Sequence, residues 1–393
     1  MKAFASSWKT NALAAACAVL ATLSGAASAA NNWNPQHILS AFKNPYHTIT
    51  SPSNTTIVGT IAHRGVVSSG CPENSSCSIL ATYNANVEAI ELDVKQSDTG
   101  QPWLFHDQNV GRLIDHSPAF NIFQDATNPA GWNPDVRSLD DQALTSTYFL
   151  RDKNFNRTGY HPVSLSRALD LIKSSANHMV VVLDIKTLDA VSRAADMAKA
   201  RGMQNQVVLK FSASLLPNNP GSIVNYTKGV AFVPTIYAGD MDKIVDSGYV
   251  GSCSKLLGSY LCRVESWITD ATKVSNYAWV EIGNKAAQPG DPTYQLVSTL
   301  KGQKAAMGAF TPVKEYRLNA SDGAHYVRSN GTCCAKLSDY LTKTKHFGNE
   351  TVDLRERIDP QLSNGFTTII SDDAAAVNTE TSSFGLRHTA FYN

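Results

Sequence analysis

Three short stretches hold the residues best suited to chemistry: Ile61-Ala-His-Arg-Gly65, Ala89-Ile-Glu-Leu-Asp93 and Trp103-Leu-Phe-His-Asp107. They supply two histidines, an arginine and three carboxylates, each stretch at the end of an apolar, strand-like run. Carboxylates are hard ligands for Mg²⁺ or Ca²⁺, imidazoles exchange protons near neutral pH, and a guanidinium grips phosphate oxygens. The set suits metal-assisted phosphoryl chemistry.

Strand alternation makes the placement testable. Across Val87 to Val94, Glu91 and Asp93 share one face while Ile90, Leu92 and Val94 share the other. Two acids on one face of an apolar strand cannot be buried unpaired, so a positive group must sit between them. In Val180-Val-Val-Leu-Asp-Ile-Lys186 the same parity puts Asp184 and Lys186 on one face. Glu91, Asp93 and Asp184 would form an all-oxygen site for one divalent cation, Mg²⁺ or Ca²⁺. The plainer alternatives are a structural salt bridge at Glu91 and Asp93, an ordinary Asp184-Lys186 pair and an ordinary turn at His106-Asp107. His37, His47, His116, His161, His178, His325, His346 and His388 have no comparable setting.

The elements that must position these groups alternate. Strand candidates are Ile57 to His63, Val87 to Val94, Met179 to Lys186, Gln206 to Ser212, Val230 to Tyr237, Tyr277 to Ile282, Ala305 to Thr311 and Phe366 to Ser371. Between them run helical segments such as Leu165 to Ser174, capped by Ser164, and Ala190 to Arg201, closed by Gly202. Continuous apolar strands alternating with helices predict a parallel sheet covered outside, and eight of them a closed (β/α)8 TIM barrel with its site at the C-terminal strand ends. An open doubly wound sheet is the alternative, but it often carries a phosphate-binding Gly-rich turn that this chain lacks. Between Asp93 and His106 there is no room for a crossover helix, and Ser97-Asp-Thr-Gly100 signals a turn. A hairpin centred between Thr99 and Gly100 would set His106 opposite Asp93. Gln108 to His161, rich in Asn, Asp, Gly and Pro, reads as an insertion capping the barrel mouth.

The order Ala62-His-Arg-Gly65, Pro72-Glu-Asn74, Glu91-Leu-Asp93 and His106-Asp107 resembles the glycerophosphodiester phosphodiesterase family. The likeness continues through Val110-Gly-Arg-Leu113, Pro162-Val-Ser-Leu165, Leu183-Asp-Ile-Lys186 and Gly365-Phe-Thr-Thr-Ile-Ile-Ser-Asp372, roughly residues 57 to 375. It implies a TIM barrel with an insertion after the second catalytic histidine and metal-dependent cleavage of a phosphodiester. Carried over, His63 and His106 are the general acid and base; Glu91, Asp93 and Asp184 hold the metal; Arg64 and Lys186 hold the phosphate. Three positions depart from the family pattern: Asp184 replaces the usual Glu, as in the related sphingomyelinase D and phospholipase D toxins, Ser75 replaces Thr, and Phe310-Thr311 replaces Trp-Thr.

Residues 1–30 read as a secretory signal, with Lys2 and Lys9, an apolar stretch from Ala12 to Leu23 and a small-residue cleavage site at Ala26-Ala-Ser-Ala29. No run is long enough to span a bilayer. Losing the signal takes the formal charge from +1 to about −1, which gives no reason to expect nucleic acid or a polybasic anchor. Six cysteines then remain, an even number suited to an oxidising compartment. Short loops favour Cys71 with Cys77 and Cys253 with Cys262; a mutual pair of the adjacent Cys333 and Cys334 would be strained. A zinc site lacks the required Cys/His spacing. Seven Asn-x-Ser/Thr sequons, at Asn54, Asn74, Asn156, Asn225, Asn319, Asn330 and Asn349, would matter only in a glycosylating host.

The expected organisation is a signal (1–30), an N-terminal extension (31–56), the barrel (57–375, insertion about 108–161) and a C-terminal tail (376–393). The expected activity is that of a secreted, or periplasmic, phosphodiesterase that turns glycerophosphodiesters into glycerol phosphate and an alcohol. A rival is a phospholipase D-like enzyme acting on lysophospholipid or sphingomyelin at a membrane surface, for which Phe120, Ile122, Phe123 and Trp132 offer apolar contacts. A catalytically inactive binding protein is a third reading, opposed by retention of both histidines, all three acids and both cations. A metal-free phospholipase C would be expected to replace a metal ligand with a cation.

Overall fold

A computed structural model describes residues 32–46, 56–118, 131–253, 259–286, 288–312, 341–355 and 357–393, together with the backbone of 317–318, 324–326 and 334–336. The signal segment, Phe120, Ile122, Phe123 and Cys333 lie outside the described residues, as do Asn54, Asn319 and Asn330 among the sequon asparagines.

Eight parallel strands close on themselves: β1 (Gly59–Ala62), β2 (Ala89–Gln96), β3 (Val180–Ile185), β4 (Val207–Ser212), β5 (Ala231–Ile236), β6 (Val280–Ile282), β7 (Met307–Thr311) and β8 (Thr368–Ser371). β1 pairs with β8 through Gly59↔Thr368 and with β2 through Ile61↔Ala89, which completes the (β/α)8 barrel. Seven fall inside the runs expected from sequence and β2 overruns its own by two residues, to Gln96; the runs are legible because strands buried on both faces are continuously apolar.

Alternation then sorts the core into two layers. Ile61, Ala89, Val180, Val182, Val208, Ala231, Val233, Trp279 and Ile370 pack inside the barrel. Ile90, Leu92, Val181, Leu183, Val207 and Leu209 face outward into a second cluster shared with the helices. The helix Leu165–Ser175 buries Leu165, Ala168, Leu169 and Ile172, and its Ser164 cap accepts from the Arg167 amide. Truncating a fully buried leucine here, Leu169→Ala, would cost about 2–5 kcal/mol.

The described residues of both flanking segments pack against the barrel. The helix Pro35–Lys43 buries Ile38, Leu39 and Phe42 under the barrel, and the Asn34 amide donates to the carbonyl of Tyr392 near the C-terminus. A side chain at Gly59 would meet the Phe42 ring at 1.9 Å, so glycine admits that plug.

Two segments depart from a regular barrel. Pro102–Leu104 returns antiparallel on β2, with Val94↔Leu104 and Gln96↔Pro102. The turn closes with the Ser97 amide donating to the Gln101 carbonyl, so the hairpin centres on Thr99 and Phe105, not His106, comes opposite Asp93. That corrects the expected register by one residue, and His106 follows the strand. The insertion forms its own core from Val110, Leu113, Ile114, Val136, Leu139, Leu144 and Leu150 against Trp103 and Phe105. Trp132 packs against that core and stacks on His116 at 4.2 Å, so it is no exposed lipid contact. Between β7 and β8, Arg317–Leu318, Ala324–Tyr326 and Cys334–Lys336 form a small antiparallel sheet that the weakly patterned sequence did not reveal.

Candidate active site

The polar residues gather where the inward-facing rows reach the C-terminal strand ends. Parallel register sets Asp93 beside Asp184, and Asp184 beside Lys210. Glu91 and Asp93 are 0% and 1% exposed, a burial that demands compensation.

The positive group expected between them is supplied from two sides. Arg64 Nε lies 3.2 Å from Asp93 Oδ2, and the Arg64 amide donates to Glu91 Oε2 at 3.1 Å. That geometry needs a tight turn after β1: Arg64 sits at φ 55° and Gly65 at φ 80°, where a side chain would meet Ser78 at 2.8 Å. Lys210, from β4, reaches Glu91, Asp184 and Glu281 at 3.5, 3.2 and 3.4 Å. Sequence reasoning missed Lys210 and Glu281, although strand parity puts Lys210 inward beside Val208.

These environments move the acids apart. Burial and the Asp93 charge push Glu91 up, against Lys210 and His63. Burial also opposes ionisation of Asp93, but Arg64 and His106 outweigh it and hold Asp93 down. Asp184 is likewise held well down, its burial overcome by Lys210 and Lys186, the latter donating to it at 2.6 Å.

Each candidate histidine is oriented by a carboxylate. His63 Nδ1 lies 2.5 Å from Asp372 Oδ1, at the end of β8, and its Nε2 faces Glu91 Oε2 at 4.0 Å. Burial and Arg64 oppose protonation of His63, yet the hydrogen bond to Asp372 and the charges of Glu91 and Asp372 raise it overall. Phe310 covers the ring at 4.5 Å. His106 Nδ1 lies 2.7 Å from Asp107, which Arg112 holds at 2.6 Å.

The loop after β1 braces both halves. The disulfide Cys71–Cys77 encloses Glu73 and Asn74. Asn74 donates to Asp93 Oδ2 and accepts from the Asp93 amide, both at 3.0 Å. Glu73 bridges Arg64 at 3.1 Å and Arg112 at 2.8 Å. The other expected disulfide, Cys253–Cys262, lies away from these residues in the chain.

His63, Glu91 and Asp93 bring one ligand atom each within 4.8 Å of one another. Asp93 Oδ1 is buried without a hydrogen-bond partner, and Glu91 Oε1 has only the Lys210 ion pair. An oxygen-rich pocket with an unspent carboxylate oxygen fits a hard divalent cation. Asp184, expected as a third ligand, stands at the level of Asp93 but turns its oxygens to Lys186 and Lys210. A wider surface cleft of about 590 Å³, lined by Asn219, Val224, Tyr249 and Lys273, contains none of these groups.

Fold and mouth together define a TIM barrel equipped for phosphoryl chemistry. Residues 63–212, from His63 to the end of β4, match the Glycerophosphoryl diester phosphodiesterase family. The motif resemblance to a family of phosphoric diester hydrolases is thus matched over this part of the chain. A Parabacteroides distasonis glycerophosphoryl diester phosphodiesterase superposes with a TM-score of 0.54 at 15% identity, covering 89% of this chain and 92% of its own. A Silicibacter pomeroyi protein named for the same activity gives 0.55 at 14% identity, covering 89% and 99%. At such identities the superpositions establish the fold alone. No curated protein matches the chain.

Proposed function

We propose that this protein is a secreted, divalent-metal-dependent enzyme that hydrolyses glycerophosphodiesters to glycerol phosphate and an alcohol. The observation that carries the reading is the pairing of two carboxylate-oriented histidines, His63 and His106, with the buried acids Glu91 and Asp93 between the cations Arg64 and Lys210.

Glu91 and Asp93 would hold the metal, with Asp184 drawn in if its lysine partners yield. When bound, the cation, Mg²⁺ or Ca²⁺, supplies Lewis-acid stabilisation of the charge on the phosphoryl oxygens. Arg64 and Lys186 add to that stabilisation at the mouth. His63 turns Nδ1 to Asp372 and His106 turns Nδ1 to Asp107, which leaves each Nε2 for proton transfer. One takes the proton of the attacking hydroxyl as the new P–O bond forms; the other protonates the leaving alkoxide as the old P–O bond breaks. The attacking group is water or a neighbouring substrate hydroxyl, the second giving a cyclic phosphate first.

The packing of half-buried Trp132 against the insertion core and His116 favours a water-soluble diester over an intact lipid. Secretion is supported by the signal-like N-terminus and by the two disulfides. Purified protein supplied with Mg²⁺ or Ca²⁺ is tested on glycerophosphocholine, lysophosphatidylcholine and sphingomyelin. Glycerol phosphate from the first alone is expected. Cleavage of either lipid overturns the substrate class, and undiminished turnover after chelation overturns the metal requirement.

A further inference from the structure

The inward row of β2 does not end at Asp93: its next member is Lys95. β2 and β3 stay in register through Val94↔Ile185, so Lys95 and Lys186 follow as neighbours one step above Asp93 and Asp184. Two ammonium groups side by side on a strand rim repel each other and concentrate positive charge there. Such a pair favours a bound anion.

The acids nearby are already engaged. Asp93 is held by Arg64 and Asn74, Asp184 by Lys186 and Lys210, and Asp107 by Arg112 and His106. Lys186 therefore has its acceptor, while Lys95 has none among the described residues. Between the two lies a notch of about 70 Å³, lined also by Gln96, Gln108, Arg137 and Thr187. Arg137 is paired with Asp135, so the unspent charge in the notch is that of Lys95. The space takes about two waters, or one carboxylate or phosphate group, and is too small for an acyl chain.

We propose that Lys95, beside Lys186, forms a second anion subsite on the mouth rim, which binds a carboxylate or phosphate carried by the substrate next to its scissile phosphodiester. The proposal rests on the phosphodiesterase reading and sharpens it. The enzyme favours diesters whose alcohol bears an extra negative charge, and the same lysines repel a trimethylammonium head group.

Two measurements separate the subsite from the activity. Titration calorimetry compares binding of glycerophosphoinositol 4-phosphate, glycerophosphoserine and glycerophosphocholine to the wild type, Lys95→Met and Lys95→Arg. Steady-state kinetics on the same diesters gives the ratio of kcat/KM for each anionic substrate over the choline substrate. Lys95→Met is expected to lower both the affinity ratio and the kcat/KM ratio about tenfold or more, the usual worth of a charge-assisted hydrogen bond, and Lys95→Arg to retain them. Loss with the phosphate-bearing diester alone, or with the carboxylate-bearing diester alone, identifies which anion the subsite takes. Ratios unchanged in Lys95→Met overturn the subsite. Selective binding without hydrolysis of any diester overturns the phosphodiesterase reading and leaves the subsite standing.

Discussion

Glu73 offers the most quantitative test of how the mouth is held together. It belongs to the Pro72-Glu-Asn74 motif, and its carboxylate joins Arg64 on the β1 side to Arg112 in the insertion. Burial pushes its pKa up, but the two guanidiniums prevail and bring it down from 4.5 to about 2. A depressed acid contributes stability that is full above its unfolded value and is lost as pH falls through the folded one. The displacement corresponds to about 3 kcal/mol at pH 7, shrinking to about 1 kcal/mol at pH 3 and to less at pH 2. Glu73→Gln should therefore lower unfolding free energy by about 3 kcal/mol at neutral pH, and the gap from wild type should close on acidification. Urea unfolding with disulfides intact, at pH 7, 5 and 3, measures it. A variant as stable as wild type at pH 7, or a gap that persists undiminished at pH 3, refutes the bridging role.

Other perturbations probe separate parts of the site. Lys210→Met leaves Glu91, Asp184 and Glu281 without their shared counter-ion and should cost about 3–5 kcal/mol in metal-free urea unfolding. Unchanged stability would show that the three acids are compensated otherwise. Asp372→Asn removes a group that raises His63, so the limb of the pH–activity profile set by His63 should move to lower pH; a limb that stays in place, or moves up, contradicts the pairing. Glu91→Gln and Asp93→Asn should each abolish saturable divalent-cation binding in calorimetry, and retention of wild-type affinity in either would remove that residue from the donor set.

Much of this molecule is legible in its sequence for one physical reason. Strands covered on both faces must be apolar throughout, so every charged interruption marks a strand end or a site. Glu91, Asp93, Asp184 and Lys186 stood out in that way, and the barrel followed from the eight runs that carry or match them. Lys210 and Glu281 interrupt equally apolar runs but belong to no recognised motif, so their coming together depends on closure of the barrel and not on spacing. Asp372 closes the Gly365-Phe-Thr-Thr-Ile-Ile-Ser-Asp372 motif, yet its partner is more than three hundred residues away, at His63. The hairpin shows the limit of local rules: the turn was in the right place, but a half-residue shift of its centre moved His106 off Asp93. The sheet formed by residues 317–336 was hidden because strands of two or three residues leave no periodicity to see.

The central claim is that two histidines transfer protons beside a carboxylate-bound cation, and His106→Ala addresses it most directly. His106 is outside the Glu91 and Asp93 pair that would hold the metal, so the variant should bind the divalent cation as wild type does. Its circular dichroism and melting temperature should also match, while hydrolysis of glycerophosphocholine falls by about 10²–10⁴-fold. Undiminished turnover in that folded, metal-binding variant would contradict the account.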